Sequence, residues 1–248
     1  RSWEAALHDT DTADDDVEEA DADTGSPYRH YYYYDDAGGD DADDDGGAWY
    51  TQSSSGITLN GASPPEWTAA HLAARLQDLP RTLNHVVLNG FLRNSTDAHA
   101  RDIALVLRDA LRSRQVYSLV LKNLHLTHAT AEALAEAFLP SMTKMTSLAI
   151  THISGGSKPL NRLIRGLIPH GARASGLSRL AVTNNMGRRS TVTQISGLCK
   201  ASPRLTRLDA SGNKLRATDV DRLAVAVLDH TRLQRLDITG NRVTAETV

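Results

Sequence analysis

LTRLDASGNKL, residues 205–215, returns as LQRLDITGNRV at residues 233–243, 28 positions later. A period of that length marks a solenoid, propeller or array, because the repeated unit is one supersecondary element that must stack on its neighbours. Aligned on L-x-x-L-x-L, the chain shows seven starts, at Ser54, Leu83, Val116, Met145, Leu177, Leu205 and Leu233, separated by 29, 33, 29, 32, 28 and 28 residues. The fourth and sixth places are apolar in every copy: Ile57 and Leu59, Val86 and Leu88, Leu119 and Leu121, Leu148 and Ile150, Leu180 and Val182, Leu208 and Ala210, Leu236 and Ile238. One apolar face at a period of two is a strand signal.

The second half of each unit changes to helical spacing. Leu72, Leu76 and Leu79 carry it in the first copy, Ile103, Leu107 and Leu111 in the second, and Leu134 with Phe138 in the third. Leu163, Ile164, Leu167 and Ile168 follow, then Ile195 and Leu198, then Leu223, Val227 and Leu228. Each unit therefore reads as strand, turn and helix, and the core forms only where units stack.

From these residues the chain resembles the leucine-rich repeats of the ribonuclease-inhibitor type, over roughly residues 54–248. LTRLDASGNKLRATDVDRLAVAVLDHTR and LQRLDITGNRVTAETV match best, and units of 28 to 29 residues with a full helix distinguish this subtype from shorter extracellular repeats. The resemblance implies an α/β solenoid, a horseshoe with a concave parallel β-sheet and convex helices. It implies protein partners first. It also places the family's turn asparagine at Asn185, Asn213 and Asn241, with Leu124 and Ile153 departing from it in earlier copies.

Charge divides the chain in two. Residues 1–47 hold 17 Asp and Glu against Arg1 and Arg29, a net −15, whereas the remainder holds 25 Lys and Arg against 13 acids, a net +12. Residues 1–50, with DTADDDVEEADAD and YYYYDDAGGDDADDDGG, are too charged and too poor in aliphatic side chains to offset ordering entropy. They are expected to form an acidic, Tyr/Asp/Gly-rich arm, disordered alone or ordered on a basic surface. Residues 51–248 form the repeat domain of about seven repeats, the last incomplete. Arg1 in place of Met is read as the start of a processed chain or fragment, and the final unit stops at Val248 before its helix. Continuing chain or a partner is expected to cover the apolar flank this leaves. The longer second and fourth copies are expected to place their extra residues in loops around FLRNSTDAH and PHGARASG.

Catalytic signatures are lacking: no G-x-x-x-x-G-K-[ST] loop, G-x-S-x-G elbow or H-E-x-x-H pair occurs. His71, His99, His125, His128 and His152 lack a ligand spacing, so neither a metal nor a cofactor is expected. Cys199, the single cysteine, sits on a helical stripe and reads as a buried hydrophobe in a reducing intracellular compartment, cytoplasm or mitochondrial matrix. No stretch approaches the ~20 apolar residues needed to span a bilayer.

Recognition is better supported. In such a solenoid the places between the apolar ones face the concave side. The third place reads Gly56, His85, Ser118, Ser147, Arg179, Arg207 and Arg235; the fifth reads Thr58, Val87, Val120, Ala149, Ala181, Asp209 and Asp237. The seventh begins Asn60, Asn89, Lys122. The expected partner-binding set is thus Arg179, Arg207, Arg235, Asp209, Asp237 and Lys122, with Val87, Val120, Ala149 and Ala181 as a smooth exposed strip. A second basic set, Lys158, Arg162, Arg165, Arg173, Arg188 and Arg189, suits phosphate contact.

The reading is a non-enzymatic interaction or scaffold subunit of a multi-subunit complex, without a small-molecule substrate. A ribonucleoprotein subunit docking its basic body on RNA is the first alternative, and a GTPase-activating role, known among relatives of this repeat class, the second.

Overall fold

The computed structural model describes residues 50–52, 56–60, 69–77, 83–90, 96–111, 115–169, 175–185, 189–228 and 230–242. Strands and helices alternate: β2 (Gly56–Asn60), α1 (Ala69–Gln77), β3 (His85–Asn89), α2 (Asp97–Leu111), β4 (Ser118–Lys122), α3 (His128–Phe138), β5 (Ser147–Thr151), α4 (Ser157–Gly166), β6 (Arg179–Thr183), α5 (Arg189–Lys200), β7 (Arg207–Asp209), α6 (Ala217–Val227) and β8 (Arg235–Asp237). Strand order follows chain order, and β2 to β8 are parallel. The sequence alignment is reproduced residue for residue, with Gly56 opposite His85, His85 opposite Ser118, Ser118 opposite Ser147, Ser147 opposite Arg179, and so on to Arg235.

The first strand breaks the rule. Residues Tyr50–Gln52 form β1, which runs antiparallel to β2. It straddles the end of the segment assigned to the acidic arm, the rest of which lies outside the described residues.

One row of strand side chains faces the helices. Leu59, Val86, Leu88, Leu119, Leu121, Leu148, Ile150, Leu180, Val182 and Leu208 are all buried there, against helix residues such as Leu72, Leu107, Leu134, Phe138, Leu163, Leu198 and Leu223. The helices pack side by side in chain order. α3 and α4 come so close that a Cβ on Gly166 would lie 2.5 Å from the Cβ of Ala135.

The starts of α3 and α6 are pinned by short polar side chains. Thr127 precedes α3 in extended conformation, its hydroxyl accepting from the Thr130 N–H at 3.2 Å and donating to Asp97 at the start of α2. In α6 the buried Asp219 accepts from the Arg216 N–H at 3.2 Å, a carboxylate at the positive end of the helix. The extra residues of the second copy are not all loop, since Asp97 to His99 open α2, whose 15 residues make it the longest described helix.

A left-handed residue follows each strand from β3 to β8 at the eighth place of the repeat. Gly90, Asn123, His152, Asn184, Gly212 and Gly240 have φ of 65, 55, 54, 54, 67 and 67°. This bend extends the ladder past the strands, with Gly90 N–H donating to Lys122, Asn123 to Thr151, Asn184 to Ser211 and Gly212 to Thr239, at 2.8 to 3.1 Å.

The next place carries the asparagine ladder. Asn185 and Asn213 are 2% and 0% exposed. Asn185 Oδ1 accepts from the Ile153 N–H and Nδ2 donates to Ile150 O; Asn213 Oδ1 accepts from the Asn185 N–H and its Nδ2 donates to Val182 O and Ala210 O. Asn241 repeats this one unit on, accepting from the Asn213 and Leu215 N–H groups and donating to Ala210 O and Ile238 O. Where the ladder stops, Leu124 and Ile153 fill the position and are buried. In the last two described repeats Val225 and Leu228, at the end of α6, and Leu236 of β8 remain 65, 76 and 37% exposed. Among the described residues, no helix is long and apolar enough to cross a membrane.

Candidate functional site

The face of the sheet away from the helices has two chemistries. At its C-terminal side Arg179, Arg207 and Arg235 occupy one row on β6, β7 and β8, in register and all exposed. The row two residues further along reads Ala181, Asp209 and Asp237. Strand side chains alternate, so both rows lie on one face while Leu180 and Leu208 between them enter the core.

The carboxylates have a local task that the sequence did not reveal. Asp209 accepts from the Ser211 N–H at 3.0 Å, and Asp237 from the Thr239 N–H at 3.1 Å and hydroxyl at 2.8 Å. Each shapes the bend after its strand. Partial burial pushes the Asp237 pKa upward, but the bonds from Thr239 and the Arg235 charge outweigh it and hold the carboxyl below its ordinary value. Arg235 approaches Asp237 at 3.5 Å while its side chain stays 68% exposed. The signal was present as D-x-[ST] before the left-handed glycine in both copies.

The expected smooth strip is corrected. Val120 and Ala149 are 6% and 7% exposed, and Val87 and Ala181 are half-buried. Val120 stands in register between Val87 and Ala149, and at the ~4.8 Å spacing of parallel strands the flanks of such side chains pack together. Val120 and Ala149 are therefore floor rather than an exposed strip. Lys122 stands half-buried at the strand ends between Asn89 and Thr151. Beside it runs a second amide chain, unforeseen from sequence, in which Asn123 Nδ2 donates to Asn89 Oδ1 at 2.8 Å and Asn89 Nδ2 to Asn60 Oδ1 at 3.0 Å. His85 begins the same face in the N-terminal half, its pKa lowered by burial.

The second basic set divides. Lys158, Arg162 and Arg165 fall at i, i+4 and i+7 of α4 and are exposed, as is Arg189 at the start of α5. Arg162 is engaged with Glu132 of α3 at 2.7 Å. Arg173 and Arg188 lie outside the described residues. Cys199 is fully buried, which pushes its thiol up to about 12, as fits a packing residue. His125 Nδ1 lies 3.1 Å from Ser154 Oγ of the next repeat, an exposed pair. Among the described residues, no group of three or more His, Cys, Asp and Glu is placed to hold a metal ion.

Fold and site together define an α/β repeat protein with a seven-strand parallel sheet, consistent with a leucine-rich-repeat solenoid. No family model and no curated protein matches the chain. Among solved structures it is similar to the crystal structure of a TLR13–ssRNA13 complex, with a TM-score of 0.33 and 14% identity over 77% of this chain. The chain spans 33% of that structure's length.

Proposed function

We propose that this chain is a non-enzymatic interaction or scaffold subunit of the ribonuclease-inhibitor-like leucine-rich-repeat subtype, binding a protein partner through the concave, open face of its sheet. The observation that carries this reading is the row of Arg179, Arg207 and Arg235, exposed and in register on three adjacent strands. Like charges aligned across strands are unfavourable, and an anionic partner relieves them. The parallel strands and interlocked turns supply a rigid platform, which lowers the entropy cost of binding. Crosslinking mass spectrometry of the native complex tests it. Partner crosslinks are expected around the ends of β6, β7 and β8 and to vanish in an Arg207→Glu, Arg235→Glu variant; unchanged crosslinks in that variant reject this face.

A second reading, contact with RNA, is favoured by the exposed Lys158, Arg162 and Arg165 stripe of α4. It requires affinity for mixed RNA that falls steeply with salt. An absence of RNA binding at moderate salt removes it.

A further inference from the structure

The spacing of the arginine row bears on what shape of anion it takes. Adjacent strands lie about 4.8 Å apart, so the three backbone positions of Arg179, Arg207 and Arg235 span roughly 9.6 Å in a line across the sheet. The second row, Ala181, Asp209 and Asp237, runs parallel to the first, about 6.6 Å further along the strands. Its two carboxylates are fixed in place by Ser211 and Thr239. They form a negative line beside the positive one, joined to it at Arg235, which lies 3.5 Å from Asp237 and keeps most of its side chain exposed.

Three kinds of anionic chain can meet such a row. Carboxylates at i, i+3 or i+4, and i+7 of an α-helix span about 10.5 Å at 1.5 Å per residue, within roughly 1 Å of the arginine row. Carboxylates at i, i+2 and i+4 of an extended strand span about 13 Å, a misfit of more than 3 Å over three sites. A nucleic-acid backbone supplies phosphate on the arginine side, but it meets the Asp209 and Asp237 line alongside, and like charges there oppose it. A helix has side chains on either flank of its acidic stripe, so a lysine or arginine on one flank turns that line from an obstacle into a second set of partners.

The floor beneath the helix is favourable as well. Ser147 and Ala149 on β5, next to the arginine strand β6, are small and lie low, so a rod about 10 Å wide continues across β5 without obstruction. Guanidinium groups also suit this task, since each fork can take one carboxylate in two-point contact.

We propose that the arginine row holds the acidic stripe of an α-helix laid across β6, β7 and β8, each carboxylate at i, i+3 or i+4, and i+7 meeting one guanidinium. A basic flank of the same helix faces Asp209 and Asp237. This rests on the reading of the open face as the binding face, and deepens it to a partner class.

The test uses the full chain and fluorescence anisotropy at low salt, with four labelled probes. The first is a side-chain-stapled helical peptide carrying the three-glutamate stripe and one flanking lysine. The second is a stapled helix of identical composition with the glutamates dispersed around it. The third is an extended peptide with glutamates at i, i+2 and i+4 between prolines, and the fourth is oligouridine. The stripe helix is expected to bind about tenfold tighter than either other peptide, the sum of three exposed charge pairs. Arg207→Glu should abolish that preference and Arg207→Lys weaken binding several-fold, with unchanged thermal melting in both.

Equal binding of all three peptides, abolished by Arg207→Glu, overturns the helix inference and leaves the face intact. Binding untouched by Arg207→Glu overturns both. Tighter capture of oligouridine than of any peptide assigns the row to nucleic acid and overturns the proposal.

Discussion

The left-handed bend after each strand makes opposite demands on His152 and Gly212, which hold equivalent places with φ of 54 and 67°. A side chain with a Cβ carries a cost of about 1–2 kcal/mol in this region, whereas glycine enters it freely but has more entropy to lose on folding. His152→Gly is therefore expected to raise stability by about 0.5–1 kcal/mol. At Gly212 an added Cβ would also lie 2.2 Å from Asn184 Oδ1, so Gly212→Ala should cost about 2 kcal/mol or more. Urea denaturation of the two variants checks the pair, and equal signs would show that the bend does not control either site. The residue scale is also where reading from sequence fell short. Asp209 and Asp237 look like surface charge until the D-x-[ST] pattern is set against the bend, where Ser211 and Thr239 already occupy them.

Between elements, what repeats is a set of contacts that each unit makes with the next. The strand register was legible because apolar pairs at places four and six leave one alignment that turns every pair toward the helices, and a one-residue slip would expose them. The antiparallel β1 was not legible, since Tyr50–Gln52 carries no repeat signal and joins β2 by backbone pairing. Burial at the fifth place was also hidden, because Val120 stands between Val87 and Ala149, strand neighbours that lie 33 and 29 residues away in sequence. The asparagine ladder was readable at Asn185, Asn213 and Asn241 because one residue type recurs at one place, whereas the Asn60–Asn89–Asn123 chain steps from the seventh place to the eighth and escapes alignment. Asn213 ties three consecutive units, bonding to Val182, Asn185, Ala210 and Asn241. Asn213→Ala leaves the buried Asn185 N–H and Val182 carbonyl without this partner, and is expected to cost about 3 kcal/mol. Asn241→Ala, at a half-buried position, should cost about half as much. Denaturant midpoints at constant slope measure both, and a loss below about 0.5 kcal/mol for Asn213→Ala would mean that the ladder is ornamental.

Across the whole stack, contacts join neighbours and little else. The sheet runs in chain order, and the main helix packing among the described residues proceeds from neighbour to neighbour, α1·α2 through α5·α6. Stability in such an array is a sum of unit terms and nearest-neighbour terms, so damage should remain local. Leu223 of α6 is fully buried, and truncating it to alanine should cost about 2–5 kcal/mol. In a domain with one shared core that loss would lower protection everywhere. Here hydrogen exchange under native conditions is expected to accelerate in α6 and β7 while the amides of β3, α2 and β4 keep their protection. The same argument bears on the arginine row: it spans β6, β7 and β8, so its geometry depends on the coupling that Leu223→Ala weakens. The variant should therefore lose affinity for a ligand bridging all three arginines although no arginine is touched. Uniform acceleration from β3 to β8 would show instead that the units fold as one cooperative body.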